Sequence, residues 1–182
     1  MFFLSFFFLN ERNIQPNMKS IHIATFIEQL SKQYNICKPS KRIGMQQYVD
    51  RIRKYMSPSD YVIAAAIWHM WRLMTSHRAC HRLRHTALQL VFFGCVTLSH
   101  KYIEDSVYSI QFLARVGGVQ PAHAFGVHEM TLFQLLNYTM YTDVETCHHV
   151  MEVVLTPDVS TRREMTIEND KHSPTIEKTK DI

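Results

Sequence analysis

Apolar positions recur at helical spacing from Lys19 to Tyr34, where Ile23, Phe26, Ile27 and Leu30 share one face, so an amphipathic helix is expected there. The stretch "NICKPSKRIG" that follows loses the period and reads as a linker. A second helix is expected over about Met45 to Met56, with Tyr48, Ile52 and Tyr55 on its apolar side. "SPSD" then supplies a helix start, with Ser57 as N-cap, Pro58 at the first helical position and Asp60 at the third. The helix from Pro58 to about Thr75, "YVIAAAIWHMWRLM", is apolar nearly all round, which predicts a central, buried element.

"SHRACHRLRH" breaks that pattern with polar and cationic residues, and "ALQLVFFGCVTLSHKYI" resumes it as a second central helix. Lys101 sits one turn beyond Thr97 and Leu98, beside the stripe of Leu88, Val91, Phe92 and Cys95. Its ammonium must either snorkel to water or face a partner. After "EDSVYS", the helix "IQFLARVGG" is expected to stop on Gly117 and Gly118, which tolerate a left-handed backbone. The next helix starts near Pro121 with Val127, Leu132, Phe133 and Leu136 as its apolar stripe. Thr142 or Asp143 caps a last short helix, "VETCHHVMEVVL". Residues 156–182 are charged and poor in large apolar side chains, so disorder is expected. No internal repeat is visible.

Composition sharpens this into an all-α class. The 182 residues suffice for one domain with tails; only 5 glycines and 6 prolines occur against 10 methionines, and alternating β-branched runs are few. A formal net charge of +4 falls short of the concentrated charge of a dedicated nucleic-acid binder. Cys37, Cys80, Cys95 and Cys147 form no CxxC pair and read as small hydrophobes in a reducing compartment, placing the chain in the nucleus or cytoplasm. The opening "MFFLSFFFL", within residues 1–18, is too short to span a bilayer and lacks the basic start and cleavage pattern of a signal peptide. It is either a membrane-associating segment or sequence upstream of a true start at Met18.

Catalytic and metal chemistry find little support. Glu104 and Asp105 are neighbours at a helix end with no companion nucleophile, so a cap or solvated turn is the better reading. His77, Cys80, His81 and His85 have spacings that gather nitrogen and sulfur donors, but Arg78, Arg82 and Arg84 interleave and repel a divalent ion. His148 and His149 read as exposed neighbours. No catalytic residue, metal, cofactor or small-molecule substrate is therefore expected. The same basic cluster suits phosphates, which keeps a nucleic-acid or transcription-associated role as the alternative, though it lacks aromatics for bases.

"DRIRKY", "HRL", "HKYIEDSVYSIQFLARVGG" and "HEMTLFQLLNYTM", on helices in this order, resemble a single cyclin box over residues 45–142, most like the P-type cyclins of fungal phosphate signalling and their plant and kinetoplastid relatives. The resemblance implies a five-helix core flanked by an N-terminal helix in 19–44 and a short helix in 143–155. It also implies a non-catalytic subunit that binds a cyclin-dependent serine/threonine kinase and holds its catalytic Lys–Glu pair in the productive arrangement, in cell-cycle or phosphate signalling. By that resemblance Lys101 and Glu129 make polar contacts with the kinase, and Leu98, Tyr102, Phe133 and Met140 supply apolar ones. His128 competes for the glutamate's position, since the spacing from Gly118 is one residue long. Arg51, Arg72, Trp71, Gly117 and Gly118 are implied to be structural. The family's Tyr-Ile-Asp-Arg signature reads here as His69, Met70, Trp71 and Arg72, so Arg51, the usual partner of the missing aspartate, needs another acceptor.

Overall fold

The structure is a computed structural model, in which residues 18–106 and 108–156 are described. The apolar segment 1–17 and the tail 157–182 lie outside the described residues. Eight helices follow one another among the described residues: α1 Ser20–Tyr34, α2 Met45–Met56, α3 Asp60–Thr75, α4 His77–Leu83, α5 Leu88–Ile103, α6 Ile110–Gly117, α7 Ala122–Leu135 and α8 Val144–Leu155. The fold is all-α.

α3 and α5 form the centre, as their uniform hydrophobicity requires. Ile63, Ile67, Met70, Phe92 and Phe93 are fully buried between them. α1 and α8 cover α3, α2 packs on α1, and α6 and α7 close the far side against α5. Trp71 is 4% exposed and stacks on Trp68 with ring centroids 4.9 Å apart.

Several sequence expectations need correction. α3 starts at Asp60 with Ser59 as its N-cap, whose hydroxyl accepts from the Val62 N–H; Ser57 instead ends α2 in a left-handed conformation, φ 46°. "SPS" offers two serines, and the earlier one was needed to reverse the chain. Tyr55 is exposed because the inner face of α2 is already filled by Tyr48, Val49, Ile52 and Met56. Val127 lies 64% exposed, outside the stripe expected for α7. "SHRACHRLRH" does not merely interrupt the chain but forms α4, capped by Ser76. The linker after α1 is pinned down: Leu88 N–H donates to the Lys38 carbonyl at 3.0 Å, and Gln89 bonds both Ser40 N–H and the Ile43 carbonyl.

Gly118 alone of the glycine pair is left-handed, φ 70°. Gly117 remains helical and is small for a different reason, since a Cβ there would meet the Phe93 ring at 2.7 Å. Gly94 does the same for α7: a methyl on it would overlap Leu132, so its absence lets α5 and α7 approach closely.

The two structural arginines satisfy carbonyls at helix ends. Arg51 donates to the Arg115 carbonyl at 2.7 Å, and Tyr48 Oη donates to the Gly117 carbonyl, so α2 caps the C-terminus of α6. Arg72 donates to the carbonyls of Thr139 and Leu136 and so caps the end of α7. Arg51 thus finds in a backbone carbonyl the acceptor that the missing aspartate would have supplied. His69, fully buried, approaches Thr142 Oγ1 at 3.4 Å; burial and then Arg72 push its pKa down to about 4, so it is a neutral imidazole.

Candidate functional site

α5 and α7 are separated by the 18 residues 104–121 but cross at Gly94, and this crossing positions two charges that no local signal couples. Lys101 ends α5, where a cation favours the helix dipole. Its Nζ donates to Glu129 Oε2 on α7 at 2.6 Å. The Lys101 side chain is 36% exposed and that of Glu129 is 11% exposed.

The pair is unevenly satisfied. Among the described residues Glu129 Oε1 is buried without a hydrogen-bond partner. Such an atom bears a desolvation cost of about 1–3 kcal/mol that a further donor would relieve. Lys101 carries three N–H donors, and one is engaged among the described residues. His128 does not share this place: its ring bonds the Leu90 carbonyl at 3.2 Å, and burial holds its pKa below the usual imidazole value.

The surroundings are greasy and partly open. Tyr102 is 55% exposed, Leu98 and Phe133 are half-buried, and Phe133 meets the Tyr138 ring edge-on with centroids 5.1 Å apart. Met140 does not belong to this group. It is 7% exposed and sits in the core, because Arg72 draws the segment after α7 back onto α3. Two exposed apolar residues went unforeseen: Ile103 at the end of α5, 43% exposed, and Met130 on α7, 52% exposed. The signal for Met130 is present in "AFGVHEMTLFQLL", which holds more apolar positions than one core-facing arc can bury.

Below this face, the His100 ring packs against Tyr108, Tyr108 stacks on Phe112, and Tyr108 Oη donates to the Met56 carbonyl at 3.0 Å. These contacts fix the segment that leaves Lys101. Glu104 closes α5 by donating its N–H to the His100 carbonyl and Asp105 is exposed, so both belong to a turn. No group of three or more His, Cys, Asp or Glu side chains capable of holding a metal occurs among the described residues. The four cysteines are free thiols. No described helix is long and apolar enough to cross a membrane.

Comparison with known proteins bears on this arrangement. Cyclin-P1-1 of Oryza sativa subsp. japonica is 28% identical over 117 residues, which is 63% of this chain and 41% of the rice protein. The match therefore spans less than half the length of that relative. A family profile described as cyclin matches residues 10–140, from upstream of α1 to beyond α7. That span holds both the α5–α7 crossing and the arginine-capped helix ends, and the chain belongs to the cyclin family.

Proposed function

We propose that this chain is a cyclin-type regulatory subunit that binds and activates a cyclin-dependent serine/threonine kinase, in phosphate or cell-cycle signalling. Cyclins act without chemistry of their own. A kinase gains activity when its mobile helix is held so that the catalytic Lys–Glu pair and activation loop adopt the productive arrangement. The observation that carries this reading is the unequal Lys101–Glu129 pair: a buried carboxylate oxygen lacks a donor, and the partnering ammonium has donors to spare, beside exposed Tyr102 and Ile103. Backbone N–H and C=O groups at a helix end would satisfy both, while Leu98, Tyr102 and Phe133 bury apolar surface around them. Met130 extends that rim.

Tyr102 tests the reading cleanly because its side chain is exposed and its removal leaves the core intact. Tyr102→Ala should weaken co-purification of a cyclin-dependent kinase by about tenfold or more, as a central aromatic anchor does. Melting temperature should not change. Unaltered capture and unaltered kinase activity would overturn the assignment of this face.

A further inference from the structure

A second surface stands apart from that face. Residues 29–49 and 61–103 contain no aspartate or glutamate. The fold brings polar parts of both together, because Lys38 pairs with Ala87 through an isolated bridge and the Cys37 thiol donates to the Leu83 carbonyl at 3.5 Å. Lys38, Lys41, Arg42, Arg78, Arg82 and Arg84 are all exposed in these two segments. None of them forms an ion pair with a carboxylate among the described residues.

This surface contains a cleft of about 230 Å³, lined by Asn35, Cys37, Lys38, Arg84 and His85. Its backbone is held rather than loose. Asn35 and Cys37 adopt left-handed conformations, and Ser31 Oγ donates to the carbonyls of both Ile36 and Cys37. Burial pushes the Cys37 thiol up to about 12, so it contributes no negative charge. Arg84, Lys38, His85 and Asn35 therefore line a small concave space without a carboxylate, and a guanidinium, an ammonium, an imidazole and an amide make a donor set suited to a compact dianion. No exposed large apolar side chain lies in residues 35–42 or 77–85, so the surface offers no platform for stacking bases.

We propose that this cleft docks a phosphorylated serine or threonine of a protein partner, with acidic residues flanking it along the belt of Lys41, Arg42, Arg78 and Arg82. The cleft adjoins the N-terminal end of α5, at Leu88, and Lys101 stands at the other end. At 1.5 Å per residue, about 20 Å of helix separates them. The cleft thus lies outside the face proposed for the kinase.

Fluorescence anisotropy on the full chain tests this with a nine-residue peptide carrying one central phosphoserine between glutamates, its unphosphorylated twin, inorganic phosphate and a short DNA duplex. The phosphopeptide should bind about tenfold or more tightly than its twin, in keeping with charge-assisted hydrogen bonding to a dianion. Lys38→Glu with Arg84→Glu should abolish that preference, whereas Lys54→Glu, an exposed cation on α2, should preserve it. Should the double reversal lower the melting temperature, Lys38→Gln with Arg84→Gln must reproduce the loss. Equal binding of the two peptides, indifference to these substitutions, or displacement by inorganic phosphate at concentrations equal to the peptide's would overturn the proposal. Tighter binding of the duplex than of the phosphopeptide would do so in favour of nucleic acid.

Discussion

Two ion pairs in this molecule have similar lengths and opposite characters. Arg53 and Asp60 meet at 2.9 Å across the turn between α2 and α3, seven residues apart. Asp60 accepts from Arg53 through Oδ1 and from the Met18 N–H through Oδ2, so both carboxylate oxygens are occupied. The unmet group of that pair, Arg53 Nε, is a donor. Lys101 and Glu129 meet at 2.6 Å across 28 residues, and the carboxylate keeps an empty, buried oxygen. The first pair closes a turn and has its carboxylate fully engaged. The second is incomplete among the described residues, which is the ground for proposing a docking surface there.

The largest effect is expected from Lys101→Glu. It places a second carboxylate against one that is 8% exposed, so the face is both repulsive and misassembled. Kinase affinity should fall by about a hundredfold, and stability by about 1–3 kcal/mol after allowance for the exposure of Lys101. Calorimetric melting and a binding titration separate the two effects, and retained affinity would remove Lys101 from the proposed docking face.

Gly94→Val attacks the crossing instead of the charges. Its added atoms overlap Leu132 and press on His128, so α7 must shift, at a cost of about 1–3 kcal/mol. Glu129 moves with α7, and kinase binding should weaken even though no docking residue is altered. If binding holds while the melting temperature falls, the α5–α7 approach is irrelevant to the face.

A pH titration tests the buried His69. His69 has a folded pKa of about 4 against 6.5 in an unfolded chain, so the unfolded state binds the extra proton first. The stability this group contributes is complete above about pH 6.5 and is lost as pH falls toward 4, amounting to about 2 kcal/mol between pH 7.5 and 5. His100 and His128, also lowered by burial, act with the same sign. Denaturation of His69→Gln at both pH values should show a smaller difference than wild type; an unchanged difference refutes the buried neutral imidazole.

The smallest effect is Asp60→Asn, which should cost about 0.5–1 kcal/mol as a partly exposed pair and leave kinase binding untouched. A binding defect there equal to that of Lys101→Glu would erase the distinction between the two pairs.

The helices were legible because their information is local. α2 ends where its period ends, and α3 is buried because no polar arc exists along it. What misled was long-range. Met140 looks like a surface residue until Arg72 ties Thr139 to α3, and the "NICKPSKRIG" linker looks free until Gln89 and Leu88 claim it. Val127 reads as inward because apolar residues surround α7, and only packing decides which of them face outward. The family resemblance implies a kinase contact for Lys101 and for Glu129 separately, and nothing in a separation of 28 residues signals that they touch. The donor missing from Glu129 Oε1 is visible only in three dimensions.

Hydrogen exchange on the full chain, free and bound to a cyclin-dependent kinase, tests the docking face most directly. Residues 98–103 and 129–133 should gain protection in the complex, while the α2–α3 turn around Arg53 and Asp60 exchanges as before. Protection at that turn, with none at the end of α5 or on α7, would contradict the account.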